Sequence, residues 1–336
     1  MTTPQADDLA ELIDGYRHTA LVYSAVKLGF VDMMADADWT ADDVARHCGC
    51  HPENTARLLR ALCAIGICET APKDGFRLTA RGKRLRSGDA SSMAAQAMLA
   101  VEQYADSWMR LPYAIRTGEA AFPLVHGLDV WQWRRENPEA GNLFARWLER
   151  DTQTTAHAIV QAYPFEPGCC VADIGGGTGA LLSALLSTHT SCNGILFEQA
   201  ATLVSAKTAL AGDRMPGGRL RLVEGDFFGR IGITADIFLL KSVLHDWDDG
   251  RCLAILDNIR NSLRENDRLL LIERMLDDAC ALRPELAMLD IRMMVMHGGR
   301  ERSLEAYRTL LRQAKLEETA LFAAASGHLI IEAKAA

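Results

Sequence analysis

Val171-Ala172-Asp173-Ile174-Gly175-Gly176-Gly177-Thr178-Gly179 decides the fold of this chain. The apolar run over 169–174 reads as a buried strand that carries an acid, Asp173, just before the turn. Four glycines follow in five positions, then Ala180-Leu181-Leu182-Ser183-Ala184-Leu185-Leu186, which reads as a helix. Strand, glycine turn and helix form the unit with which an α/β sheet meets a nucleotide-like ligand. Glycine is required there because a Cβ would hold the backbone away from the ligand. Two cofactors fit the spacing. Gly175-x-Gly177-x-x-Ala180, with Glu198 about 20 residues on, satisfies the loose dinucleotide pattern. Asp173 shifts the balance, because an anion beside the turn repels a pyrophosphate. S-adenosylmethionine has no phosphate and offers a sulfonium, an ammonium and ribose hydroxyls. A plainer reading also stands, in which Asp173 only caps the turn.

Outward from this stretch, strands and helices alternate, as a parallel sheet requires. Strands are expected over 169–174, 193–198, 220–224, 237–240, 268–273 and 328–332. The junction at 164–168 (Pro164-Phe165-Glu166-Pro167-Gly168) is the clearest domain boundary. It divides a Rossmann-like domain over 166–336 from a helical linker and acceptor-pocket region over 91–165. Helices are expected there over 93–109 and 140–163, with a loop at 118–123.

Residues 1–90 read as a smaller domain. A helix over 9–30 carries apolar residues on more than one face, which suits burial against another chain. Thr40 is placed to cap a helix over 42–47, with acids in its first turn. A second helix spans 52–67, and 67–79 form a hairpin around Lys73-Asp74-Gly75. Two helices and a hairpin make a winged helix, a module that often binds DNA. Residues 40–90 hold nine Lys/Arg against six Asp/Glu, only mildly basic. An interface or lid role suits that segment better than a ligand-responsive regulator.

The 336 residues are 49% hydrophobic and 24% charged, with net charge −8 and an isoelectric point near 5.6. Such a surface disfavours nucleic acid, which needs basic contacts to phosphate. The polar N-terminus does not read as a signal peptide, and no apolar run reads as long enough to cross a bilayer. Nine cysteines, an odd number, read as free thiols in the cytoplasm. His47-Cys48-Gly49-Cys50-His51 lacks a second pair at ligand spacing, so buried thiols are expected rather than zinc. Trp131-Gln132-Trp133 reads as core or interface aromatics.

Three further motifs fall at expected strand ends. Gly225-Asp226-Phe227-Phe228 offers an acid for an adenine amino group and a ring to cover the base. Lys241-Ser242-Val243-Leu244-His245-Asp246-Trp247-Asp248-Asp249 sets a histidine among acids. Gly298-Gly299-Arg300-Glu301-Arg302 precedes a helix. Together with the glycine turn and Ile272-Glu273-Arg274, this order and spacing resembles the small-molecule O-methyltransferases typified by plant caffeic acid O-methyltransferase. That family includes bacterial members that decorate aromatic natural products, and the resemblance covers nearly the whole chain.

The resemblance implies a homodimer through the N-terminal region, S-adenosylmethionine as cofactor, no metal and a small aromatic acceptor. It implies that Gly175, Glu198, Asp226, Phe227, Lys241 and Trp247 surround the cofactor, beside Asp173. At Glu198 the chain departs from the usual Asp-Leu-Pro, having Glu-Gln-Ala. His245 matches the general base, and Glu273 and Glu301 the carboxylates that flank it. By their residues alone, His245, Asp246 and Asp248 could equally cap the following helix, and Glu273 could pair with Arg274 or Arg292. The acceptor pocket is implied over Phe144, Trp147, Leu148 and Asp151, and over Ile291, Arg292, Met293 and Met296. The two methionines suit a flat ring or plain core packing. Arg292, if turned inward, selects an acceptor with a carboxylate or acidic hydroxyl. The expected reaction is methyl transfer to a phenolic hydroxyl. N-methylation of a heteroaromatic ring, or a non-methylating reaction on the same cofactor, is the alternative.

Overall fold

Trp39–Thr40 (β1), Cys68–Ala71 (β2) and Gly75–Leu78 (β3) form an antiparallel sheet in the order β1-β3-β2. It belongs to the first of two compact units, Met1–Asp106 and Ser107–Ala336. The computed structural model describes residues 8–89, 91–211, 218–276 and 283–336. Residues 1–7 and Cys280 lie outside the described residues.

In the first unit the hairpin forms where the sequence places it, and β1, two residues long, adds an edge. Thr40 caps the helix Ala41–Cys48 by accepting from Asp43 N, and Gly49 ends that helix in the left-handed region. The first helix runs Asp8–Lys27 and stops short of the expected 30, because Gly29 turns left-handed (φ +75°) before a separate turn, Phe30–Met33. The second winged-helix helix ends at Ala64 rather than 67, where Ile65 caps it and Gly66 turns left-handed. Phe30, Val44, Leu59, Leu62, Phe76 and Leu78 form this unit's core. Leu9, Leu12, Ile13 and Tyr16 lie exposed along the first helix, Leu12 at 78%.

The expected helix over 93–109 is broken by a π-helical turn at Ala100–Tyr104. In the second unit, the segment expected to loop at 118–123 starts the helix Ala121–His126. The long helix Pro138–Ala162 packs on the helix Ala180–Thr188. The 164–168 junction joins it to the sheet within this unit.

That sheet has seven strands: Cys170–Ile174 (β4), Asn193–Glu198 (β5), Leu220–Glu224 (β6), Ile237–Lys241 (β7), Arg268–Arg274 (β8), Leu316–Ala323 (β9) and His328–Ala335 (β10). Their order is β6-β5-β4-β7-β8-β10-β9. The first five are parallel, and β10 lies antiparallel between β8 and β9. Strands β4, β7 and β8 are covered on both faces, which is why they read as largely apolar runs, β4 interrupted by Asp173. The two cores contain Ala172, Ile174, Phe238 and Leu271 on one side and Val171, Leu182, Leu239 and Ile272 on the other.

Candidate active site

The chain leaves β4 toward β5 and β6, then returns to β4's other side for β7. Such a reversal opens a crevice at the carboxyl ends of the central strands. The glycine turn follows β4, and the segment carrying His245 follows β7. Gly175 is left-handed (φ +69°), and a Cβ there would sit 3.2 Å from Phe227 Cε1. Its N–H donates to Phe197 O (2.9 Å). Asp173 lies buried beneath the turn, where a Cβ on Gly176 would overlap its carboxylate. Burial pushes the Asp173 carboxyl up to about 7, against the pull of Lys241. Glu198 at the end of β5 accepts from Gly177 N (3.1 Å) and Gln199 N (2.8 Å). Exposed Asp226 accepts from Phe228 N. Lys241 Nζ donates to Thr152 Oγ1 (3.2 Å) and lies 4.0 Å from Asp151. Leu148 reaches to 3.4 Å of a Cβ built on Gly177. Trp247 meets Phe228 edge-on, ring centroids 4.9 Å apart.

His245 sits in a single 3-10 turn, Leu244–Asp246. Before it, Ser242 holds a left-handed backbone (φ +54°), rare for a residue with a Cβ and enriched at functional turns. The imidazole is 11% exposed. Its Nδ1 is 2.8 Å from Glu301 Oε1 and 3.8 Å from Glu273 Oε2. An ionised carboxylate only accepts, so Nδ1 donates to Glu301 and Nε2 keeps the lone pair of a neutral ring. Glu273 Oε1 accepts from Val243 N and Leu244 N (3.2 and 3.0 Å), fixing the turn itself. Burial alone would lower the His245 pKa. Asp246, Glu273 and the Glu301 hydrogen bond more than offset it and raise the pKa to about 9. Burial pushes Glu273 up to about 7.

Asp248, not Asp246, caps the helix Asp249–Arg260. Asp246 instead turns inward, its Oδ1 3.6 Å from His245 Nε2 and 3.7 Å from His297 Nε2. Burial pushes its carboxyl up to about 6, against His245, Arg292 and Arg134. Sequence reasoning missed this role for Asp246 and missed His297 altogether. The signal for His297 was its place directly before the Gly298-Gly299 pair.

Trp131, expected as a core or interface aromatic, joins this group. Its ring lies 5.1 Å from His297, 5.7 Å from Phe144 and 6.3 Å from Trp247. Phe144 meets Trp147, over which the Arg292 guanidinium sits 4.9 Å from the ring centroid. The aromatic chain thus runs from His297 to Arg292. Met293 and Met296 are buried. Among the described residues no group of His, Cys, Asp or Glu is arranged to hold a metal ion.

The sequence model of a family described as the O-methyltransferase domain matches residues 108–316, and its dimerisation domain matches 10–88. This chain belongs to that family. The phenazine O-methyltransferase of Lysobacter antibioticus is 34% identical, covering 98% of this chain and 96% of its own. The solved structure of LaPhzM superposes with TM-score 0.93 at 33% identity, covering 99% of this chain and 100% of its own. An O-methyltransferase from neocarzinostatin biosynthesis was solved with S-adenosylmethionine and 2-hydroxy-5-methyl naphthoic acid. It superposes with TM-score 0.82 at 29% identity, covering 95% of this chain and 96% of its own.

The methyltransferase therefore uses S-adenosylmethionine, and its crevice fits that ligand. The glycine turn bares its backbone, and Phe227 and Trp247 offer rings. Asp173 puts a carboxyl beneath the place where a pyrophosphate needs positive potential.

Proposed function

We propose that this enzyme methylates a phenolic hydroxyl of an aromatic secondary metabolite, with His245 as general base. The observation that carries the reading is the 2.8 Å contact between His245 Nδ1 and Glu301, so that in the neutral ring Nε2 is the nitrogen left to accept a proton. Asp173, Gly175, Glu198, Asp226, Phe227, Lys241 and Trp247 hold the cofactor in this reading. When bound, the cofactor supplies a methyl on a cationic sulfur. Little is then asked of the protein beyond in-line positioning and proton removal. A phenol loses its proton near pH ~10 and a free imidazole near ~6.5. The carboxylates around His245 raise it to about 9 and so narrow that mismatch. Glu301 fixes the tautomer and stabilises the imidazolium as it forms.

Arg292 supports a finer reading, in which the acceptor also carries a carboxylate. Its guanidinium rests on Trp147, and its charge reaches Asp246. A planar fork of donors suits a carboxylate better than a point charge does. Arg292→Ala should raise KM for hydroxyarene carboxylates by roughly tenfold or more, as losing a charged hydrogen bond does. It should leave KM for the matching uncharged phenols nearly unchanged. Steady-state kinetics on such pairs tests this, and equal losses on both would refute it.

We also propose a cytoplasmic homodimer. The dimerisation domain and the exposed Leu9, Leu12, Ile13 and Tyr16 support the dimer. The eight described cysteines are free, as a reducing compartment keeps them. None of the described helices is long and apolar enough to cross a membrane. Leu12→Glu with Tyr16→Glu should yield monomer at micromolar concentration in sedimentation. Undiminished dimer would remove this helix from the interface.

A further inference from the structure

Arg302 has no role in the reading above, yet its side chain is only 1% exposed. Its backbone is anchored just past the end of β8, with Leu276 N donating to Arg302 O (3.0 Å). Its guanidinium reaches the segment that carries His245. Nη1 donates to Leu244 O (2.9 Å), the residue before His245. Nη2 donates to Trp247 O (2.7 Å), two residues after it. Nε and Nη2 both donate to Asp249 Oδ1 (3.1 and 2.7 Å). Between these points Arg300 N donates to His245 O (2.9 Å). The same short segment thus holds His245 by its ring, through Glu301, and by the backbone on both sides.

The held segment is short: Asp246 N donates to Val243 O and Trp247 N to Leu244 O (both 3.2 Å). It leaves β7 through left-handed Ser242 and makes one 3-10 turn before the next helix. Leu244 O also accepts from Cys252 Sγ (3.2 Å), and Trp247 O from Cys252 Sγ (3.6 Å). The guanidinium adds a charged donor, stronger than a neutral one, to each carbonyl. Arginine suits the task because its fork donates in several directions from one plane and never loses its charge. The cost of burying that cation is offset by Asp249 and the carbonyls. Lysine has neither the reach nor the fork.

We propose that Arg302 is a positioning residue for methyl transfer: it clamps the backbone on either side of His245 so that the imidazole stays seated on Glu301. This rests on the reading of His245 as base. Arg302 acts through the backbone in this role, so its loss should appear first in kcat and in the pH profile, and much less in cofactor binding.

The test compares Arg302→Lys, Asp249→Asn, His245→Ala and the His245→Ala/Arg302→Lys double variant. Each is assayed for kcat, for KM of a phenolic acceptor, for S-adenosylmethionine Kd by calorimetry and for kcat against pH. Arg302→Lys should lower kcat by roughly 10- to 100-fold, the scale of a small misplacement. Cofactor Kd should change far less than kcat, because Arg302 reaches Trp247 at its backbone carbonyl and leaves the indole in place. The rising limb of the pH profile should move to lower pH as the Glu301 contact loosens. In the His245→Ala background the same change should cost nothing further. Asp249→Asn removes the half-exposed carboxylate that steadies the guanidinium (48% exposed). It should give a smaller loss with the same pH shift, and it decides the matter if Arg302→Lys does not fold. A slow His245→Ala beside a folded Arg302→Lys with wild-type kcat and pH profile would overturn the proposal alone. Wild-type kcat in His245→Ala would overturn the base reading beneath it.

Discussion

Replacing His245 with alanine should lower kcat by about 10²–10⁴-fold, the usual worth of a positioned general base. Cofactor affinity should stay unchanged by calorimetry. The cause is local. Nε2 is the lone pair available to the acceptor, while Nδ1 is engaged 2.8 Å from Glu301. Glutamine at 245 keeps polarity without basicity and should fail equally. The pH dependence follows from the same geometry. Only the neutral ring accepts a proton, and the carboxylates raise the His245 pKa to about 9. Activity should therefore rise from pH ~6 toward pH ~9, the apparent value belonging to the coupled cluster. Glu301→Gln removes the charge that favours the imidazolium, so its rising limb should shift to lower pH and its kcat should fall.

Gly299→Ala should be the most damaging single-methyl change in the chain's second unit. A Cβ at 299 would overlap the His245 carbonyl oxygen and the Asp246 backbone. Both obstacles are main chain, so no side chain can swing aside. Either the 298–302 segment or the His245 turn must move. Movement of the first withdraws Glu301, and movement of the second withdraws the imidazole. A displacement of ~1 Å at a reacting group can cost about 100-fold in rate. The overpacking itself costs ~1–3 kcal/mol. The variant should show both a lowered melting temperature and a kcat at least about 100-fold below wild type. Gly327→Ala makes the control: nothing lies within 4 Å of its Cβ. It should be strained by its left-handed backbone yet keep its catalytic rate.

Much of this was legible in the sequence because the deciding residues are contiguous. The buried strands β4, β7 and β8 carry largely apolar runs, and the glycine turn marks where the first of them ends. β5 and β6 were read to their observed ends. β9 escaped because it alternates like any half-exposed segment and follows directly on a helix. β1 is two residues long and exists only because β3 lies beside it. The first helix read as longer because Phe30 continues its apolar pattern, while the left-handed turn at Gly29 gives no hydrophobic signal.

The site divides the same way. His245, Glu273 and Glu301 stand in motifs that can be quoted. Asp246 and Asp248 look alike in sequence, and only the fold shows which caps a helix and which faces a histidine. Trp131 and His297 come together from segments more than 160 residues apart by number (297 minus 131). No local pattern announces such a pair.

The most direct test of the account is transfer of labelled methyl from S-adenosylmethionine to paired acceptors. Flat hydroxyarene carboxylates would be set against N-heteroaromatics lacking a hydroxyl, and the products identified by mass spectrometry and NMR. The account predicts a methyl ether on the hydroxyarenes, made by wild type and nearly absent with His245→Ala. A product methylated only on nitrogen, at a rate indifferent to His245, would contradict it.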